Sequence, residues 1–474
     1  MMLDSTSHPD PGEEPASLLL RGATLLTLDR EAHVRPGWDL LLKNGKIAAI
    51  GSPLEIPTGV RMIEVFNSVV LPGLIQGHLH LGQTLFRGLA ERRRLLSWLR
   101  ERIWPLEAAH DEESAYWAAM LGAAECLLTG TTTVQDIGIG PGARGVLQAL
   151  VDSGLRAQAG KCLMDEGDGL PVGLAEDPEA TLAHTEELGD RFDGAGGGHL
   201  QYILNPRFIL SCSDRLWRGI RELSDRRGWP VHTHALEQED ETEAVQALKG
   251  GRDEIEYFDQ EGILATDFRI AHGVWLTDDH LQRVSPQGSQ GSRGPRGSQH
   301  RFSVVHCPSS NLKLGSGIAD VVKIRRAGVP VGVGADGAAC NNDLDAFEEV
   351  RLAALLQSVR HGPESFSGLD ALRLATSEGA RALGLEDEVG SIEVGKRADL
   401  VVLDLSRPEL LAAPQVDLHD LVTYGASPAA VRHVLVGGEL LVEDGRLTKL
   451  DLGEIRTKAA ESLAALIRRS ALVL

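Results

Sequence analysis

From about residue 74 to residue 385 the chain repeats one pattern: a short apolar run, a polar loop, then an amphipathic helical stretch. Alternation of this kind fits a parallel α/β architecture, because each parallel strand needs a crossover to return to the same edge. The strand candidates are 131–136, 200–204, 231–234, 269–272, 303–306 and 329–334. If the strands close into a barrel, its chemistry sits on the loops at their C-terminal ends, so polar residues just past such runs carry the functional signal.

The two ends of the chain have a different texture. Segments 18–28 and 39–50 read as short strands, with Asn44-Gly45 as a two-residue hairpin signal. Similar strands return in 390–404 and 431–447, where Gly437-Gly438 supplies another tight turn. We expect 17–72 and 388–448 to build one small β domain around a barrel of 73–387, with a C-terminal helix in 449–474 and a disordered start in 1–16. Residues 285–300 (SPQGSQGSRGPRGSQH) hold nothing apolar to bury and read as a flexible, solvated insertion.

Charge narrows the partners. A formal net charge of -21 disfavours a nucleic-acid polymer, whose phosphates need clustered Lys and Arg, and leaves a small-molecule substrate. No uninterrupted apolar run approaches the roughly 20 residues a membrane helix needs, and 1–16 lacks the basic and apolar regions of a signal peptide. The five cysteines are scattered and form no CxxC pair, which suits a reducing cytoplasm.

The sharpest local signal is LPGLIQGHLH at 71–80, where His78 and His80 alternate at the end of an apolar strand. Side chains at i and i+2 of a strand point the same way, so both imidazoles can reach one ion. Alone, an HxH pair is a weak signal, since histidines also occur as hydrogen-bonded core residues. Three more strand candidates end in suitable residues: His232-Thr-His234 followed by Glu237, Ala271-His272-Gly273, and Ala335-Asp336-Gly337. A catalytic metal site needs several N or O ligands and one open position, which histidines and a carboxylate provide.

With these residues in place, the chain resembles the amidohydrolase superfamily, in particular its nucleoside and aminoazine deaminase branch. The matching words are VLPGLIQGHLHLGQTLFRGLAE (70–91), LLSWLRERIWPLE (95–107), GTTTVQD (130–136), VHCPSSNLKLGSGIADV (305–321) and GADGAACNNDLDAFEEVRLAALL (334–356). They look like those of deaminases acting on S-adenosylhomocysteine, methylthioadenosine or 5′-deoxyadenosine, and GSIEVGKRADLVVLD (390–404) resembles the superfamily's accessory β domain. The resemblance implies a (β/α)8 TIM-like barrel and hydrolytic deamination of an adenine nucleoside derivative. It makes His78, His80, His234 and Asp336 the ligands of one divalent metal, zinc first, with iron(II) and manganese(II) open. It makes Glu237, His272 and Asp336 the catalytic groups, because a bound metal brings the pKa of water near neutral and the ring must gain a proton when it is attacked. Binuclear members carry a bridging lysine after the fourth strand, and 200–208 has none. His232 reads as a supporting residue rather than a ligand.

Substrate contacts carried over in the same way are Glu107 on the ribose hydroxyls, Gln83, Arg207 and Trp104. Arg207 departs from the histidine common in methylthioadenosine-type relatives, which puts the group on the ribose 5′ position in doubt. Trp98 and Trp104 also read as core residues at helical spacing. The resemblance further implies a homo-oligomer. The rival readings are hydrolysis of another aminated ring, such as guanine, a pterin or a triazine, and an inactive binding homologue. Because 285–300 falls between a helix and the next strand, on the face away from the strand C-termini, deleting residues 287–297 should leave metal content and turnover nearly unchanged. Loss of either would assign the segment a role.

Overall fold

The computed structural model describes residues 17–286, 302–413, 415–470 and 472. The expected disordered start, 1–16, and residues 287–300 of the Gly/Ser-rich insertion lie outside the described residues.

The barrel is built from β1 (Leu74–Leu79), β2 (Thr131–Asp136), β3 (Arg156–Ala159), β4 (Leu200–Tyr202), β5 (Val231–Ala235), β6 (Phe268–His272), β7 (Phe302–His306) and β8 (Val331–Val333). Parallel pairing joins β1 to β4 in one four-stranded sheet and β5 to β8 in another. Two bridges close the seams, Leu204 with Val231 and Leu79 with Asp336. The His232 N–H donates to the Leu204 carbonyl at 2.9 Å, and the Asp336 N–H to the His78 carbonyl at 3.1 Å. The chain is therefore a closed (β/α)8 barrel, its strands buried on both faces as parallel strands under helices must be.

Strand β3 is absent from the sequence reading, because RAQA has no apolar alternation. Its polar side chains are satisfied inside the protein. Arg269 on β6 donates to Gln135 on β2 at 2.8 Å and to Gln158 on β3 at 2.5 Å. Those strands are not its neighbours, so these bonds cross the barrel interior and match buried donors to buried acceptors.

A nine-stranded sheet draws on both chain ends. Leu18–Leu26, Val34–Lys43, Lys46–Gly51, Arg61–Glu64 and Ser68–Pro72 come first, and Leu400–Asp404, Val431–Val436, Glu439–Glu443 and Arg446–Leu447 complete it. Residues 390–398, read as strand from the sequence, are turns and irregular backbone apart from a single antiparallel bridge of Arg397 with Lys46. Asn44 and Gly45 both take positive φ, 54° and 73°, as a two-residue hairpin turn demands. Leu400–Asp404 pairs antiparallel with Ser68–Pro72, which runs through Gly73 into β1. The buried Arg156 of β3 fastens the sheet to the barrel, donating to Asp399 from Nε at 2.7 Å and from Nη2 at 3.1 Å.

Over the C-terminal ends of the strands lies the helical segment Leu95–Trp98, Leu99–Ile103 and Trp104–Ala108. Its middle turn is a π-helix. Pro105 has no N–H to return to the preceding turn, which favours such a widened register. The C-terminal helix, Leu452–Ser470, braces this segment: Ala459 and Leu466 share an apolar cluster with Leu85, Trp98, Leu99 and Trp104. Arg469 donates to the Ala109 carbonyl at 2.8 Å. No helix among the described residues is long and apolar enough to cross a membrane.

At the β8 to β1 seam a Cβ on Gly334 would stand 2.6 Å from the His78 carbonyl oxygen and 2.7 Å from its nitrogen. Both atoms are backbone in a closed barrel and cannot yield cheaply. Gly334→Ala should therefore destabilise the protein by about 1–3 kcal/mol, the range of overpacked cores, in chemical denaturation. A variant as stable as wild type would show that the seam can open.

Candidate metal centre

Strand geometry brings the histidines together from separate parts of the sequence. His78 lies in β1 and His80 just past it, and their rings meet edge to face at 5.0 Å between centroids. His232 and His234 lie on β5, His272 ends β6, and Asp336 follows β8. His272 and Asp336 adopt φ of 73° and 62°. This left-handed region is uncommon for residues other than glycine, and such strain collects at functional sites.

The donor atoms of His78, His80, His234 and Asp336 all lie within 4.8 Å of one another, and all four residues are buried. Asp336 Oδ1 is 3.3 Å from both His78 Nε2 and His80 Nε2. His80 Nε2 and His234 Nε2 face each other at 3.0 Å. Burial holds both imidazoles well below their usual pKa, which favours the neutral ring that a metal ligand needs. His78 Nε2 is buried without a hydrogen-bond partner. Its other nitrogen, Nδ1, meets His232 Nε2 at 2.8 Å, and His234 Nδ1 meets the Arg207 carbonyl at 2.7 Å. A hydrogen on each Nδ1 leaves each Nε2 free to ligate. Three imidazoles and a carboxylate converging in this way fit a divalent cation. Burial raises Asp336, but the neighbouring His78 and His80 outweigh it and hold the carboxyl well below its usual range.

His78, His272 and Cys307 also cluster, sharing His78 with the first group. Burial pushes the Cys307 thiol well above its usual pKa, and a protonated thiol is a poor ligand.

Beside the donor set, Glu237 Oε2 stands 3.4 Å from His272 Nε2. Burial first, then the charge of Asp336, raises Glu237 well above the usual carboxylate range. Several supporting partners were missed in the sequence. Asn311 Oδ1 meets His272 Nδ1 at 2.9 Å, Ser310 Oγ donates to Asp336 Oδ2 at 2.6 Å, and Glu241 accepts the Glu237 N–H at 2.9 Å. Ser310 and Asn311 stand in the CPSSN word just past β7, so their position after a strand was the available signal. Glu241 had only its spacing of four from Glu237.

A narrow cavity opens here, lined by Leu95, Trp98, Leu99, Phe208 and Leu314 together with His80, Arg207, His234, Glu237 and Asp336. Of the four expected substrate contacts, Arg207 lines it, while Gln83, Glu107 and Trp104 do not. Trp104 packs into the apolar cluster under the C-terminal helix, and Trp98 takes the cavity wall. Glu107, expected at the ribose hydroxyls, meets protein donors in the structure. Its carboxylate accepts from Arg207 Nη1 at 2.9 and 2.7 Å and from Gln83 Nε2 at 2.8 Å. That nitrogen of Gln83 also lies 3.2 Å from His80 Nδ1.

The sequence profile of the amidohydrolase family matches residues 69–441. A 5-methylthioadenosine/S-adenosylhomocysteine deaminase of Pelotomaculum thermopropionicum is 33% identical over 458 residues, covering 96% of this chain and all of that one. A 5′-deoxyadenosine deaminase of Methanopyrus kandleri is 37% identical over 403 residues, 84% of this chain and 88% of that one. Among solved structures, an adenosine deaminase from Xanthomonas campestris with bound zinc superposes with a TM-score of 0.85 at 30% identity, covering 96% of this chain and 99% of that one.

The contact between His232 and His78 generates a prediction. Partners that orient a ligating histidine typically contribute about 10- to 100-fold in metal affinity. His232→Leu should weaken metal binding on that scale in competition with a chromogenic chelator, with His232→Gln recovering part of it. Unchanged affinity in the leucine variant would make His232 a packing residue only.

Proposed function

This chain belongs to the amidohydrolase family, and from that premise we propose that it is a metal-dependent hydrolase that deaminates an adenine nucleoside derivative. The observation that carries the reading is the buried convergence of His78, His80, His234 and Asp336, with Glu237 and His272 beside them on one cavity. The named activities of its relatives support the substrate class. Zinc is our first choice of metal, since the donor set is nitrogen and oxygen and a zinc-bound structure shares the fold. The five cysteines are buried and free, in keeping with a cytoplasmic location.

When bound, a divalent ion supplies a Lewis acid and brings the pKa of water near neutral. The remaining steps belong to the side chains. Asp336, held ionised by its histidine neighbours, accepts the proton of the attacking water. His272, with Nδ1 held by Asn311, turns Nε2 toward Glu237 and Asp336 and orients that water toward the ring carbon bearing the amine. Glu237 is kept protonated by burial and by the charge of Asp336. It gives its proton to a ring nitrogen as aromaticity is lost, takes up the proton of the new hydroxyl and passes it to the amine, which departs as ammonia, and the proton held by Asp336 returns Glu237 to its acid form.

An ammonia-release screen of metal-loaded protein tests the reading, using adenosine, 5′-deoxyadenosine, methylthioadenosine and S-adenosylhomocysteine beside guanine, a pterin and an aminotriazine. Release from the last three alone would overturn it. Glu237→Gln should retain metal and fold while losing about 100- to 10,000-fold in turnover, the usual contribution of a proton-transferring side chain. Turnover close to wild type would place the proton path elsewhere.

A further inference from the structure

The two oxygens of Glu237 have different neighbours. Oε2 stands 3.4 Å from His272 Nε2, and Oε1 lies 3.4 Å from Ser316 Oγ. Glu237, Gln238 and Ser316 are 2%, 3% and 2% exposed, so protein partners must place their protons. The bonds among them run in one direction. A backbone carbonyl only accepts, so the bond of 2.9 Å from Gln238 Nε2 to the Leu314 oxygen fixes which end of that amide donates. Its second N–H goes to Ser316 Oγ at 3.2 Å, and the single hydroxyl proton of Ser316 is left to point at Glu237 Oε1. Both ends of the chain are pinned, because Glu241 accepts the Glu237 N–H at 2.9 Å and Trp275 Nε1 donates to the Ser316 carbonyl at 3.2 Å.

The opposite side of the carboxyl agrees. Asn311 Oδ1 accepts from His272 Nδ1 at 2.9 Å, which leaves the lone pair of a neutral ring at Nε2, beside Glu237 Oε2. We infer that Ser316 is a positioning residue, held by Gln238, that keeps the carbonyl oxygen of Glu237 at Oε1 and its acid proton on Oε2, the oxygen beside His272. The inference rests on the deaminase reading, in which Glu237 is the acid. Burial and the charge of Asp336 raise Glu237, and the bond from Ser316 opposes them, since a hydroxyl bonds more strongly to the carboxylate that forms when the proton leaves. Ser316 thus aims the proton and eases its departure.

Infrared spectroscopy of the metal-loaded protein without substrate tests the placement, and kinetics test its use. The protonated-carboxyl band that Glu237→Gln removes belongs to Glu237. A C=O group that accepts a hydrogen bond vibrates at lower frequency, so Ser316→Ala should shift that band upward. A band that stays in place, as it would with the proton on Oε1, or a wild-type protein without such a band, would overturn the inference. On the best substrate of the ammonia screen, Ser316→Ala should lower kcat by about 5- to 50-fold, between the scales of a neutral and a charged hydrogen bond. KM, melting temperature and metal content should stay close to wild type. Gln238→Met should lower kcat in the wild-type background and add little to Ser316→Ala, because the two act along one chain. Unchanged kcat in Ser316→Ala, a loss confined to KM, or full additivity of the two substitutions would each count against the chain and overturn it. If wild type releases no ammonia from any compound in the screen, the deaminase reading falls and the infrared band still decides which oxygen holds the proton.

Discussion

The barrel closes where its polar groups converge. The hydrogen bond from the Asp336 N–H to the His78 carbonyl joins the end of β8 to β1, and both residues belong to the donor cluster. Strand closure and donor placement are thus one constraint: a register error at this seam would separate the Asp336 carboxylate from His78 and His80. Gly334 permits the approach because it has no Cβ to meet the His78 backbone.

Around that seam, low dielectric sets the character of each group. A buried polar atom without a partner is costly, and the structure meets the demand one nitrogen at a time. Asn311, the Arg207 carbonyl and His232 each take one nitrogen of a neighbouring histidine. Among the buried histidine nitrogens without a partner, His78 Nε2 lies beside Asp336 and His272 Nε2 beside Glu237. Two carboxyl groups in one pocket are driven apart, Asp336 down by its histidines and Glu237 up by burial and by Asp336. Separation of this kind lets one accept a proton while the other holds one.

Much of this was legible in the sequence, for local reasons. Histidines two apart at the end of an apolar run share a face, and Asp336 between an apolar run and glycine reads as a strand end, so periodicity offers them as candidates while the resemblance to the amidohydrolase superfamily supplies their expected role. Strand β3 escaped because Arg156 and Gln158 have partners in other parts of the chain. The pairing of Glu107 with Arg207 escaped for a similar reason. It spans a separation of 100 residues, and no local pattern distinguishes a carboxylate awaiting a ligand from one already bonded to an arginine. Pairwise contacts between distant segments are set by the closed barrel, and a linear reading sees only their ends.

The junction of Arg156 with Asp399 bears on how such a protein can be inherited. Asp399 also accepts the Gly437 N–H at 2.7 Å, so one carboxylate ties a barrel strand to a turn of the terminal sheet. Breaking a buried pair of this kind costs about 3–5 kcal/mol, against a total stability of about 5–15 kcal/mol for a typical domain. A recombination event that set this barrel beside a foreign sheet would bury a guanidinium with no counter-charge. Barrel and terminal sheet are therefore coupled through this pair: replacing either Arg156 or Asp399 leaves the other's charge buried without its partner.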